Sequence, residues 1–132
     1  MAMQIRLATL AMASVMALLS GCDDPEKAQD KCASLVSTYC DRVVSCAQQG
    51  NLLNGKFGPN DLRSECEKFM NDDARCHDAV RVGKSFNQCV DESSQVSCAD
   101  LVDTLSNADS QNDRYLGAIP ASCQDSVKYV DD

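Results

Sequence analysis

Apolar and polar positions recur with a helical period over most of this chain. From Lys31 to Gln49, Cys32, Leu35, Val36, Tyr39, Val43, Cys46 and Ala47 fall on one face, with Cys40 and Val44 at its flank. Ser34, Ser37, Thr38, Asp41, Ser45 and Gln48 fall opposite, and Gly50 supplies a C-terminal stop. GNLLNGKFGPN, residues 50–60, reads as a loop with three glycines and a proline. Asn60 can cap a second helix in which Leu62, Cys66, Phe69 and Met70 share a face. A third helix is expected over about Asp73 to Asp91, with Val80, Phe86 and Val90 inward, although Gly83 weakens it. A fourth begins near Ser97, with Cys98, Leu101, Val102 and Leu105 on one stripe. SNADSQNDR, residues 106–114, is polar and loop-like, and Tyr115, Leu116, Ile119, Pro120 and Cys123 form a closing strap. No stretch sustains period-two alternation. The expected fold is all-α, a small disulfide-cross-linked bundle of about four helices.

The first residues follow a different pattern. MAMQIRLATLAMASVMALL has Arg6 as its only charge and an apolar run from Leu7 to Leu19. That run is short of the roughly 20 apolar residues of a spanning helix and has the proportions of a secretory core. Leu19-Ser20-Gly21-Cys22 follows and resembles the lipobox of bacterial lipoproteins. The resemblance implies diacylglycerol on the Cys22 sulfur, cleavage before Cys22, and acylation of the new amine, with palmitate a typical chain. Small residues at 20 and 21 suit an extended backbone in a protease cleft, and the cysteine supplies the nucleophile. The competing account is an ordinary secretory signal cleaved near Ala17. The expected organisation is a signal peptide over 1–21, a lipidated cysteine with a polar tether over 22–30, and a cysteine-rich helical domain over 31–132. An extended stretch at 23–27 would reach about 17 Å, keeping the domain close to its membrane.

Assigning Cys22 to lipid explains an odd count of nine cysteines. Cys32, Cys40, Cys46, Cys66, Cys76, Cys89, Cys98 and Cys123 remain, an even set that reads as a disulfide framework in a short exported chain. Each bridge typically contributes about 2–4 kcal/mol, which matters where the core is small. If helices one and two pack as a hairpin, Cys46–Cys66 is the first pair expected. Cys76 would then join Cys40 or Cys32. Without residues 1–21 the chain has 11 basic and 20 acidic side chains, a net charge of −9. That charge disfavours nucleic acid as a partner.

CASLVSTYCDRVVSC, the later C-x9-C and C-x8-C spacings, and the terminal PASC resemble a type of small eight-cysteine lipoprotein abundant in myxobacteria. The resemblance spans residues 32–123, with Tyr-Cys-Asp-Arg its most specific part. It implies a helical disulfide-rich domain on a lipid anchor and brings no activity with it.

Candidate chemistry is sparse. Cys76-His77-Asp78 is similar to the His-Asp pair of secreted phospholipases A2, but residues 50–60 lack the cysteine and tyrosine of a calcium loop. A surface histidine beside a structural cysteine is the simpler account. C-type haem attachment needs C-x-x-C-H, and position 73 is Asp73. No two cysteines lie as close as zinc or thioredoxin-like motifs require, and Met70 stands alone after the export segment. Asp72-Asp73 reads as a helix N-terminal charge pair. Leu52, Leu53 and Phe57 either fold back over the junction of helices one and two or form a partner-binding patch.

No catalytic residue, metal ligand or cofactor is expected. The reading is a non-catalytic, lipid-anchored envelope module with a structural or partner-binding role. The alternative is a small periplasmic thiol-redox or metal-handling protein. The membrane reached through the lipid is expected to be the inner one, on its periplasmic face, because Asp23 follows the anchor; the outer membrane is the other destination.

Overall fold

The computed structural model describes residues 24–130. The expected signal peptide over 1–21, Cys22 and Asp23 lie outside the described residues, as do Asp131 and Asp132.

Helix α1 (Pro25–Gln49) is the axis of the fold. Its start is written locally: the Asp24 side chain accepts from the Lys27 N–H at 3.3 Å, Pro25 opens the helix and Glu26 favours its positive end. The expected tether therefore gives way to helix within the described residues. Ala28 is already buried, and Gln29 Nε2 donates to the His77 carbonyl at 2.9 Å. The expected apolar face is buried at Cys32, Val36, Tyr39, Val43, Cys46 and Ala47, together with the flanking Cys40 and Val44. Burial extends that far round because α1 packs against several elements in turn.

Helix α2 (Pro59–Ala74) buries Leu62, Cys66 and Met70, as its stripe predicts. Gly58 rather than Asn60 caps it, with the Gly58 N–H donating to Asp61 Oδ2 at 2.7 Å. Asp72 and Asp73 fall in its last turn, not at a helix N-terminus. Their charge opposes the helix dipole there, so the N-terminal pairing is corrected. The turn closes with Arg75 in the left-handed region at φ 49°.

The expected third helix divides. A 3₁₀ turn (Cys76–Asp78) leads into strand β1 (Ala79–Val82), and only Phe86–Ser94 forms helix α3. β1 pairs antiparallel with β2 (Val127–Tyr129), with Arg81 opposite Lys128 and a bulge between Ala79 and Arg81. The break lies at Gly83, whose N–H donates to the Ser126 carbonyl at 2.8 Å. A Cβ at Gly83 would lie 2.2 Å from the Asp125 carbonyl oxygen, so glycine is required by close approach of two backbones.

Helix α4 (Cys98–Asn107) starts after Ser97 as expected and buries Leu101 completely. Residues 111–116 form a short helix α5 (Gln111–Leu116) inside the expected loop. Ser110 caps it, with the Asp113 N–H donating to Ser110 Oγ at 3.1 Å. A second 3₁₀ turn (Ala121–Cys123) then leads to β2. The described residues thus form a small helical disulfide-rich domain of five α-helices with a two-stranded ribbon. Its apolar core gathers side chains from α1, α2, β1, α3, α4, α5 and β2. No helix among the described residues is long and apolar enough to cross a membrane.

Candidate functional site

All eight cysteines of the described residues are bridged: Cys32–Cys76, Cys40–Cys66, Cys46–Cys98 and Cys89–Cys123. The Cys46–Cys66 expectation is overturned, while Cys32 is the partner of Cys76, one of the two foreseen. Helix geometry explains the error. Cys66 lies seven residues into α2 and Cys40 nine residues before the end of α1, nearly level in an antiparallel pair. Cys46 lies three residues before that end, about 6 Å out of step with Cys66. Cys46 is also turned about 120° from Cys40 around α1. It faces α4, where Cys98 meets it. Cys89–Cys123 ties α3 to the C-terminal segment. Glu92 reinforces that junction, accepting from Ser122 Oγ at 2.6 Å and Gln88 Nε2 at 2.7 Å. Those two hydrogen bonds, that from Ser122 foremost, hold the Glu92 carboxyl below its ordinary pKa.

Leu52, Leu53 and Phe57 fold back and pack half-buried against the core. The Asn54 side chain ties the loop, accepting from the N–H groups of Lys56 and Phe57 at 2.9 and 3.0 Å. The three apolar residues still leave a groove of about 250 Å³, completed by Ala47, Leu62, Leu105 and Arg114. The loop therefore folds back over the core, as the first account has it, and also lines a concave apolar surface.

His77 is 74 % exposed, with Nε2 3.3 Å from Asp78 Oδ2. The same carboxylate binds the Arg75 guanidinium at 3.0 Å. Arg75 in turn lies over the Tyr129 ring, 5.2 Å from its centroid. The Asp78 carboxylate is thus shared between His77 and the Arg75 guanidinium on an open surface. Among the described residues no three His, Cys, Asp or Glu side chains converge as a metal site.

A deeper concavity, missed by sequence reasoning, lies between α1, α2 and the C-terminal ribbon. It encloses about 330 Å³ and is walled by Leu35, Val36, Tyr39, Met70, Ile119 and Val127, with Asp73 and Asp125 among its lining. Ser93, 1 % exposed, also lines it. Among the described residues its hydroxyl meets two sulfurs, Cys123 Sγ at 3.5 Å and Cys89 Sγ at 3.9 Å, both weak partners. The α1 wall is held by a buried relay. Tyr39 donates to the Tyr115 carbonyl at 2.6 Å, and the Tyr115 hydroxyl donates to Glu65 Oε1 at 2.8 Å. Burial pushes the Tyr39 phenol up to about 12. Tyr115 moves the same way, through burial first and then its hydrogen bond to Glu65. The closing strap comes from strands and turns distant in sequence, so no local motif announces this cavity.

The fold defines a small, disulfide-stapled helical domain with concave apolar surfaces. The chain matches no protein-family model, no curated protein and no solved structure.

Proposed function

We propose that this chain is a lipid-anchored extracytoplasmic module with a binding rather than a catalytic role in the cell envelope. The observation that carries the reading is the pairing of all eight cysteines of the described residues, which leaves Cys22 as the one thiol free for lipid. Such a framework suits an oxidising compartment. Six of the eight bridged cysteines are buried, which favours a structural over a thiol-redox use of them, since reactive cysteines are partly exposed. The cavity beside Tyr39 and Ser93 would take a small apolar group bearing a hydrogen-bond acceptor, and the groove at Leu52, Leu53 and Phe57 an apolar side chain of a protein partner. Asp23 favours retention at the periplasmic face of the inner membrane.

Metabolic labelling with a clickable fatty acid tests the anchor. Wild-type chain takes the label and Cys22→Ser does not, accumulating as uncleaved precursor. Equal labelling of both would remove the lipoprotein reading.

A further inference from the structure

We propose that the outer face of the β1–β2 ribbon is a binding site for a phosphate ester. Arg81 on β1 stands directly opposite Lys128 on β2. Directly opposed residues of an antiparallel pair project to the same face, where like charges repel and weaken the ribbon. A third cation, Lys84, joins them in lining a groove of about 550 Å³. This is an unexpected place to gather positive charge, because acids outnumber bases 20 to 12 in the chain. Asp125, also in the groove, approaches Lys128 at 3.6 Å but is 87 % exposed, and such a pair contributes little. Among the described residues neither Arg81 nor Lys84 has a carboxylate partner. The groove therefore holds three cations against one screened acid.

The floor of this groove is backbone held rigidly. Gly83 packs directly against the Asp125 carbonyl, and Asp125 sits in the left-handed region at φ 57°. The Cys89–Cys123 bridge clamps the segments on either side. A fixed like-charge pair breaks a local rule of sheet stability, and such conflicts gather where a ligand supplies the missing partner. An anion with several oxygens would accept hydrogen bonds from both Arg81 and Lys128 and remove their repulsion. Arginine suits this role through its forked donors. The groove adjoins the apolar cavity at Asp125, which lines both, but opens on the other face of β2: Val127 and Tyr129 line the cavity, and Lys128, between them, lines the groove.

A soluble phosphate ester and a lipid phosphate headgroup share this chemistry. The test uses the oxidised chain from Asp23 onward, refolded and checked by thiol titration to carry its four bridges. Titration calorimetry with inorganic pyrophosphate is run beside flotation with phosphatidylcholine vesicles, with and without phosphatidic acid. Binding in either arm is expected to weaken roughly tenfold or more in Arg81→Ala and in Lys84→Gln, as loss of a charge-assisted contact implies. Lys56→Gln, in the distant 50–58 loop, is expected to bind as wild type. Circular dichroism melts confirm that the variants fold. Pyrophosphate binding alone identifies a soluble ester, and vesicle binding that requires phosphatidic acid identifies a headgroup. No binding in either arm, or binding that Arg81→Ala and Lys84→Gln leave unchanged, overturns the proposal.

Discussion

Replacing Cys89 and Cys123 together with alanine is expected to loosen one side of the domain selectively. Their bridge closes a loop of 34 residues. No other cross-link shortens that loop, because Cys123 is the only cysteine after Cys98. Loop-closure entropy for this length gives about 4 kcal/mol. Cys32–Cys76 and Cys40–Cys66 behave differently, because each shortens the loop left by losing the other. With either one gone, the remaining path runs eight residues from Cys32 to Cys40 and ten from Cys66 to Cys76. That residual loop corresponds to about 3 kcal/mol. A small domain has only about 5–15 kcal/mol in total. Urea unfolding of the Cys89→Ala/Cys123→Ala chain should therefore register a loss of about 3–4 kcal/mol. Hydrogen exchange should accelerate first at β1, β2 and the 117–126 segment, while α1 and α2 stay protected. A loss below about 1 kcal/mol, or acceleration spread evenly over α1 and the ribbon, would refute this account of the bridge.

Other expectations follow from single contacts. Tyr39→Phe removes the hydrogen bond to the buried Tyr115 carbonyl and should cost about 1–1.5 kcal/mol by urea unfolding, with no cost showing that the relay is not a structural tie. Because burial raises the Tyr39 phenol from 10 to about 12, the folded chain keeps a proton that the unfolded chain loses, so stability should fall as pH rises from 10 to 12. The Tyr39→Phe chain should show a shallower fall over that window; an identical slope would contradict the assignment. Gly83→Ala places a Cβ 2.2 Å from the Asp125 carbonyl oxygen and should open the ribbon, seen as loss of exchange protection at β1 and β2.

Elements whose information is local were legible in the sequence. The apolar stripes of α1, α2 and α4 are complete in themselves, and Gly50 and Ser97 bound them. The ribbon was hidden because AVRV is too short to display a period, and its partner lies more than 40 residues away. Burial at Val82 and Val127 comes from that pairing rather than from an amphipathic segment. Helix α5 was hidden for the opposite reason: Ser110 and Asp113 belong equally to turns and to helix caps. The disulfide error came from ranking the cysteines by closeness to the 50–58 connection rather than by level and rotation on α1. In the folded chain Cys40 is nearly level with Cys66, while Cys46 is turned about 120° away around α1 and meets Cys98 of α4. Of the candidate sites, the loop patch could be named from its composition. The cavity could not, because Tyr39, Ser93 and Val127 meet only when the C-terminal segment closes.

Intact-mass analysis of the protein extracted from its own membranes, with thiol alkylation before and after reduction, tests the central claim most directly. The account predicts a chain that starts at Cys22 and carries lipid mass there. It takes no alkyl group before reduction and eight after it. A chain that starts elsewhere with Cys22 unlipidated, or one that alkylates at two or more cysteines without reductant, would contradict it.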